Sequence, residues 1–392
     1  MNPLFIILLL SILAGQLIKI PVFGMQAPPI LDLIIIVLNL WGILRIKFAL
    51  RKPPVYLKSA LFFIVICIIS LALTPLNLSS QEIFISFLYT VRFFMYILFG
   101  WLLYSGAFES LKSNITKLLI CSGVGLAILG ILQFIFLPNL SFLSNQGWDP
   151  HFYRTVSTFL DPNFAGAYFV LTLILLVQMH NPGLSQFQIG IGNSIIYLAL
   201  LTTFSRSSYG MFLISFLTLS YFVKSWKMAF LSITLFFGLL VGFQIYSMFV
   251  AKPRNIDRVG SASFRLNTWH QGFEIFQAHP ILGVGFNAYR YALKQYGLAP
   301  ESIYNGRGGS TNDSSLLFVA STTGLLGLIT YLVFLTSILI YGLNKNKYLT
   351  AALLGLIAYS TFNNSLFYPF ILLWIILVTS SPKFLFPKGQ KK

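Results

Sequence analysis

The stretch IFISFLYTVRFFMYILFGWLLYS, residues 83–105, decides the fold. It is an apolar run broken by a single charge, Arg92. A helix rises 1.5 Å per residue, so roughly 20 mainly apolar residues cross the hydrocarbon core of a bilayer. Eleven further runs of this character surround it, at 3–19, 29–44, 58–76, 117–137, 163–180, 188–203, 207–223, 228–250, 314–342, 349–365 and 367–381. The 392 residues are 57% hydrophobic and only 9% charged, whereas soluble chains carry about 25% charged residues. The pattern predicts an all-α polytopic membrane protein with about 12 transmembrane helices. The first apolar run lacks a basic leader and a clear cleavage site, and is expected to stay as a helix.

The net charge is +17, from 26 Lys and Arg against 9 Asp and Glu. In a soluble chain this would suggest nucleic acid. Here the basic residues flank apolar runs, so they report topology instead and no nucleic-acid partner is expected. With the N-terminus inside, fifteen basic residues fall in inner segments and the tail, among them Arg45, Lys47, Arg51, Lys52, Lys224 and Lys227. Three (Lys19, Arg154 and Arg206) fall in short outer segments. The predicted arrangement is N-in and C-in. Residues 1–250 hold the first nine helices, 251–313 a long extracytoplasmic loop, and 314–392 the last three helices and a basic cytoplasmic tail. Cys67 and Cys121 each sit inside an apolar run, which implies no disulfide framework. Walker, zinc-binding and dinucleotide patterns are absent from the sequence, so no metal or other cofactor is expected.

The long loop is net +3, with Arg254, Arg258, Arg265, Arg290 and Arg307 among its cations. Leu266, Trp269, Phe273 and Phe276 recur at helical spacing after Ser261 and Ser263, which could cap a helix. This predicts an amphipathic helix lying on the membrane surface or over a cavity and stopped by Pro280. Gly283 and Gly285 permit a tight turn, and a second short helix is expected from Asn287 to Gln295, closed by Gly297.

Several polar residues stand where chemistry is plausible. Arg92, deep in its run, is expected to face the bundle interior or a water-filled cavity, or else to be a snorkelling or structurally paired arginine. The tract from Arg154 through Asp161-Pro-Asn163 gives a polar helix start that Asn163 could cap, with free N–H groups suited to an anion. Ser205-Arg206-Ser207-Ser208 puts an arginine beside another helix start, or is an ordinary hairpin turn. Arginine forks match phosphate oxygens, so Arg92, Arg154, Arg206, Arg258, Arg265 and Arg290 together suit a diphosphate group. Asp313, at the end of the loop, is either a helix cap or a carboxylate tuned towards general-base work. His151, His270 and His279 are lesser candidates for the base, and His180 reads as structural.

Those pieces together resemble the O-antigen ligase and polymerase superfamily of membrane glycosyltransferases. The resemblance rests on Arg154–Asn163, Ser205-Arg206, Phe264-Arg265-Leu-Asn-Thr-Trp269, Pro280-Ile-Leu-Gly-Val-Gly-Phe286 and the run from Asp313 to Gly324-Leu-Leu-Gly327, and covers roughly residues 85–345. It implies a GT-C-like fold in the bacterial cytoplasmic membrane and metal-independent, inverting transfer at its outer face. The implied donor is a polyprenyl-diphosphate-linked oligosaccharide and the acceptor a glycan hydroxyl. Membrane lipids and a chain-length regulator protein are further implied partners. Arg206 and Arg265, with Arg154, Arg258 and Arg92, are then expected on the diphosphate. Asp313 is expected as base, with Asn163, Trp269, Asn312 and Ser314 in acceptor or structural roles. Ligases carry His-Asn eleven residues before the glycine matching Gly324; here that position (324 − 11 = 313) holds Asp313, followed by Ser314. The carboxylate favours a polymerase. A ligase acting on lipid A core or protein is the alternative, and a transporter or lipid-linked glycan flippase the reading from another class.

Overall fold

The computed structural model describes residues 2–20, 27–178, 186–254, 260–304, 306 and 308–380. Each of the twelve apolar runs contains a helix. In chain order the helices are α1 (Pro3–Ala14), α2 (Ile30–Arg45), α3 (Val55–Ala72), α4 (Ser80–Ser105), α5 (Glu109–Lys112) and α6 (Ile115–Phe136). Then come α7 (Pro162–Gln178), α8 (Gln186–Thr203), α9 (Arg206–Val223) and α10 (Trp226–Tyr246). The long loop supplies α11 (Gly260–Ala278), α12 (Tyr289–Gln295) and α13 (Glu301–Tyr304), and the chain ends in α14 (Ser315–Lys345), α15 (Lys347–Tyr359) and α16 (Pro369–Ser380). Among the described residues there is no strand, only two isolated bridges.

Five helices are long and apolar enough to cross a membrane, namely α3, α4, α6, α14, and α10 with its π-helical extension to Ala251. Their outward faces support the same conclusion. Phe62 on α3, Phe230 and Phe237 on α10, and Phe249 just beyond it are all more than half exposed, a surface that water would not tolerate. α16 is the opposite case. All twelve of its residues are buried, so it runs through the centre of the bundle against α4 and α6.

Several helices are short, and four of these border one recess. α1, α7, α15 and α16 have 12, 17, 13 and 12 residues. They rise about 18 to 26 Å, less than a hydrocarbon core of about 30 Å. Their ends meet in one place. Gln16 beyond α1, Asp161 before α7, Asn363 beyond α15 and Pro369 at the start of α16 all border a single cavity. The recess is thus made by helices that stop early.

α14 is bent. Gly324 has φ 63° and ψ −164°, which breaks the helix in its middle. The break frees two carbonyls and two N–H groups, and the tract 280–285 takes all four. Val284 and Gly285 donate to the carbonyls of Ser321 and Thr322 at 3.1 and 2.9 Å. Leu325 and Leu326 donate to the carbonyls of Pro280 and Ile281 at 2.7 and 3.3 Å. The Ser70 and Thr74 hydroxyls of the α3 side brace the same tract at the carbonyls of Leu282 and Val284. A bent helix in a low-dielectric bundle needs such reciprocal partners. Only glycine fits here, because a Cβ on Gly324 would overlap the backbone of Ile281 and Leu282.

The loop helix α11 packs on α14 through its small face. α11 buries Thr268, Gly272 and Ile275 against α14, while Leu266 and Phe273 point outward. Gly272 sets the close approach, since a Cβ there would press on Asn312 at 2.6 Å. Small residues let backbones come near each other, so large apolar side chains are turned away. α11 begins at Gly260, so Ser261 and Ser263 fall inside its first turn rather than capping it. The second loop helix starts at Tyr289, not Asn287.

Candidate functional site

The cavity has a volume of about 590 Å³. The start of α14 supplies its central carboxylate. Ser314 caps this helix, its Oγ accepting from the N–H of Leu317 at 3.4 Å. Asp313 is therefore not the cap, and its carboxylate turns to the cavity instead. Thr268 Oγ1 on α11 donates to Asp313 Oδ2 at 3.2 Å. Burial raises the Asp313 pKa to about 6; Arg265 and the Thr268 hydrogen bond pull it down, and Asp161 and Asp149 push it up. Asn312 is fully buried and holds this corner together. Its amide donates to the Thr268 carbonyl and to the Tyr289 hydroxyl (3.1 Å), and its oxygen accepts from the N–H of Ser314 at 2.8 Å. The ring of Trp269 lies 5.6 Å from that of Phe362 and outside the cavity lining.

Three predicted arginines line the cavity: Arg92, Arg154 and Arg265. Arg265 projects from the half-buried side of α11. Arg154 is buried; its Nε donates to the Thr203 carbonyl at 2.8 Å and an Nη to that of Phe204 at 3.3 Å, which ties its loop to the end of α8. Arg92 pairs with Asp32 of α2 at 2.7 Å and lies over the Tyr89 ring at 4.9 Å. The hydroxyl of Tyr96 donates to the other Asp32 oxygen at 2.8 Å. The acid holds the guanidinium at the cavity edge.

The remaining expectations divide. Arg206 is exposed, stands over the Phe243 ring at 5.5 Å and lies outside the lining. The pull of an aromatic face on α10 separates it from the other arginines. Arg290 donates to the Gly306 carbonyl at 3.1 Å, also outside the lining. Arg258, Arg307, His180 and the basic tail 381–392 lie outside the described residues. Of the histidines, His151 lines the cavity, while His270 pairs with Glu274 at 3.2 Å and His279 meets the Tyr296 hydroxyl at 2.8 Å.

The cap of α7 is Asp161, not Asn163. Its Oδ1 accepts from the N–H groups of Asn163 and Phe164 at 2.6 and 3.3 Å. Burial raises the Asp161 pKa, and these bonds work against the shift. Asn163 instead accepts from Ser205 Oγ at 2.8 Å and joins the cavity wall.

Residues 191–332 match the family model described as O-antigen ligase. Over that stretch the chain is similar to the O-antigen ligase family, which supports the resemblance to the O-antigen ligase and polymerase superfamily. The match runs from α8 into α14, narrower than the stretch that carried the resemblance, and includes Arg265, Asp313 and the spliced tract at 280–285. No curated protein matches the chain. That likeness suggests a glycosyltransferase-like ligase or polymerase and implies a lipid-linked glycan in a membrane context.

Some lining residues escaped the sequence. Asp32 is a lone acid inside the run 29–44, the mirror of the Arg92 signal, and could have been paired with it. Asn363 and Asn364 were absorbed into the run 349–365; α15 stops at Tyr359, which leaves both in a connection on the cavity wall. Lys19, Trp148, Asp161 and Tyr368 also line the cavity, and only the structure assembles them.

Proposed function

We propose that the chain is a polymerase that joins lipid-linked oligosaccharide repeat units at the outer face of the bacterial cytoplasmic membrane, through 12 spans with both termini inside. The observation that carries this is a half-buried carboxylate, Asp313 at a pKa of about 6, in one cavity with Arg92, Arg154 and Arg265. Such a carboxylate is mostly ionised at neutral pH yet basic enough to take a proton from a hydroxyl in the transition state. The acceptor oxygen attacks the anomeric carbon as its proton passes to Asp313. The bond from that carbon to the diphosphate oxygen breaks with inversion, and the arginines hold the departing charge. The family description favours a second reading, a ligase that delivers the glycan to lipid A core or protein.

The test is the glycan ladder of cells carrying Asp313→Asn or Arg265→Ala. Single-unit product should accumulate and the ladder collapse, while Arg206→Ala, outside the cavity lining, should cost far less. An unchanged ladder in both cavity variants refutes the assigned roles. Supplying purified protein with a defined polyprenyl-diphosphate oligosaccharide, with and without lipid A core, separates polymerase from ligase.

A further inference from the structure

The connection between α15 and α16 carries Asn363 and Asn364 on the cavity wall. Each amide is tied at one end. Asn363 Nδ2 donates to Ser207 Oγ at 3.0 Å, and Asn364 Oδ1 accepts from Ser315 Oγ at 3.0 Å. The other ends, the Asn363 carbonyl oxygen and the Asn364 amide nitrogen, have no partner among the described residues. Asn363 is only 8% exposed and borders the cavity. An enclosed amide with one hydrogen-bonding end left over on a cavity wall suits a polar ligand.

The pair offers one acceptor and one donor side by side. Vicinal hydroxyls of a pyranose present the complementary pattern, since each hydroxyl both donates and accepts. Next to the pair, Phe164 and Tyr368 stack at 4.0 Å with planes 8° apart, and Phe367 joins them in the lining. Such rings suit the C–H face of a sugar. The tether fixes where that sugar sits: Ser315, which holds Asn364, lies two residues beyond Asp313 (315 − 313 = 2). The same helix start thus positions the asparagine and the carboxylate. We infer that the Asn363–Asn364 connection is the acceptor-sugar subsite, with the attacking hydroxyl presented to Asp313. That the bound sugar is an acceptor rests on the proposed transferase reading; that the pair binds a sugar does not.

Two isosteric variants test the pair in purified full-length protein. Asn364→Asp keeps the oxygen that Ser315 needs and removes the cavity-facing donor. Asn363→Asp keeps a cavity-facing oxygen and leaves another to accept from the Ser207 hydroxyl. The probe is the free repeat-unit oligosaccharide released from the host's surface glycan, read by calorimetric binding. Transfer from polyprenyl-diphosphate oligosaccharide and the thermal midpoint are measured in parallel. Asn364→Asp should weaken oligosaccharide binding and raise the acceptor KM roughly tenfold, the worth of one hydrogen bond, without moving the donor KM or the midpoint. Asn363→Asp should stay within about twofold on the same scale. If Asn364→Asp lowers the midpoint, Asn363→Leu is the second variant and should give the same selective rise in acceptor KM. Wild-type binding by Asn364→Asp, a change in donor KM alone, or the reverse ranking of the two Asp variants overturns the subsite. Wild-type protein that binds the oligosaccharide but transfers nothing overturns the proposed reaction and leaves the subsite standing.

Discussion

Transfer through Asp313 should lose about tenfold in kcat/KM between pH 7 and pH 5. A carboxyl with a pKa of about 6 is the starting point. Roughly nine-tenths of it is ionised at pH 7 and roughly one-tenth at pH 5, so the base-competent fraction falls about tenfold. An ordinary aspartate, near 3.9, would lose only about a tenth of its ionised form over the same range. The acid limb therefore reports burial at this one position. The profile is taken with purified protein, a defined lipid-linked donor and donor well below KM, so that free-enzyme titration is observed.

The limb must also move in a fixed direction when its neighbours change. Arg265 and the Thr268 hydroxyl both favour the ionised form. Removing either raises the pKa, so Arg265→Ala and Thr268→Val should shift the limb to higher pH as well as slow the reaction. A profile flat to pH 5, or a limb unmoved in both variants, would refute Asp313 as the titrating base.

Two further outcomes follow from the surrounding structure. Gly324→Ala forces a Cβ into the backbone of Ile281 and Leu282 at a φ that only glycine holds easily; the strain alone costs about 1–3 kcal/mol, so the thermal midpoint in detergent should drop clearly, and an unchanged midpoint would remove the splice as a stabilising element. Asp32→Asn breaks the 2.7 Å pair to Arg92; losing one partner of a buried pair costs about 3–5 kcal/mol, and both the midpoint and donor affinity should fall, whereas Asp32→Glu should recover part of each.

Much of the bundle is legible in the sequence, because hydropathy alone locates an apolar run. Helix ends are less so. The runs 349–365 and 314–342 each read as one span, yet α15 stops at Tyr359 and α14 bends at Gly324. Hydropathy does not register these events, because neighbouring segments satisfy the freed backbone groups. The packing face of α11 is not legible from its large apolar residues, because contact with α14 runs through Thr268, Gly272 and Ile275. In the site, Arg265 and Asp313 are visible in sequence because each falls in a stretch that carries the family resemblance. The asparagine pair is not, because uncharged amides inside an apolar run carry no comparable signal.

The spliced tract explains how a family likeness can point to chemistry through residues that perform none. Pro280–Gly285 and Gly324 meet backbone to backbone, which ties the end of α11 to α14; Arg265 on α11 and Asp313 just before α14 line one cavity. The departure from the ligase pattern then becomes intelligible. An unperturbed histidine has a pKa of about 6.5, and burial lifts Asp313 to about 6. The carboxylate thus acquires the proton affinity that an imidazole has by nature. Asp313→His should for that reason retain activity at least about tenfold above Asp313→Asn, since it restores a base of matched strength and loses only reach and charge. The measurement is kcat/KM for both variants at pH 7.5 with the same lipid-linked donor. Equal residual rates would show that position 313 contributes placement rather than proton transfer.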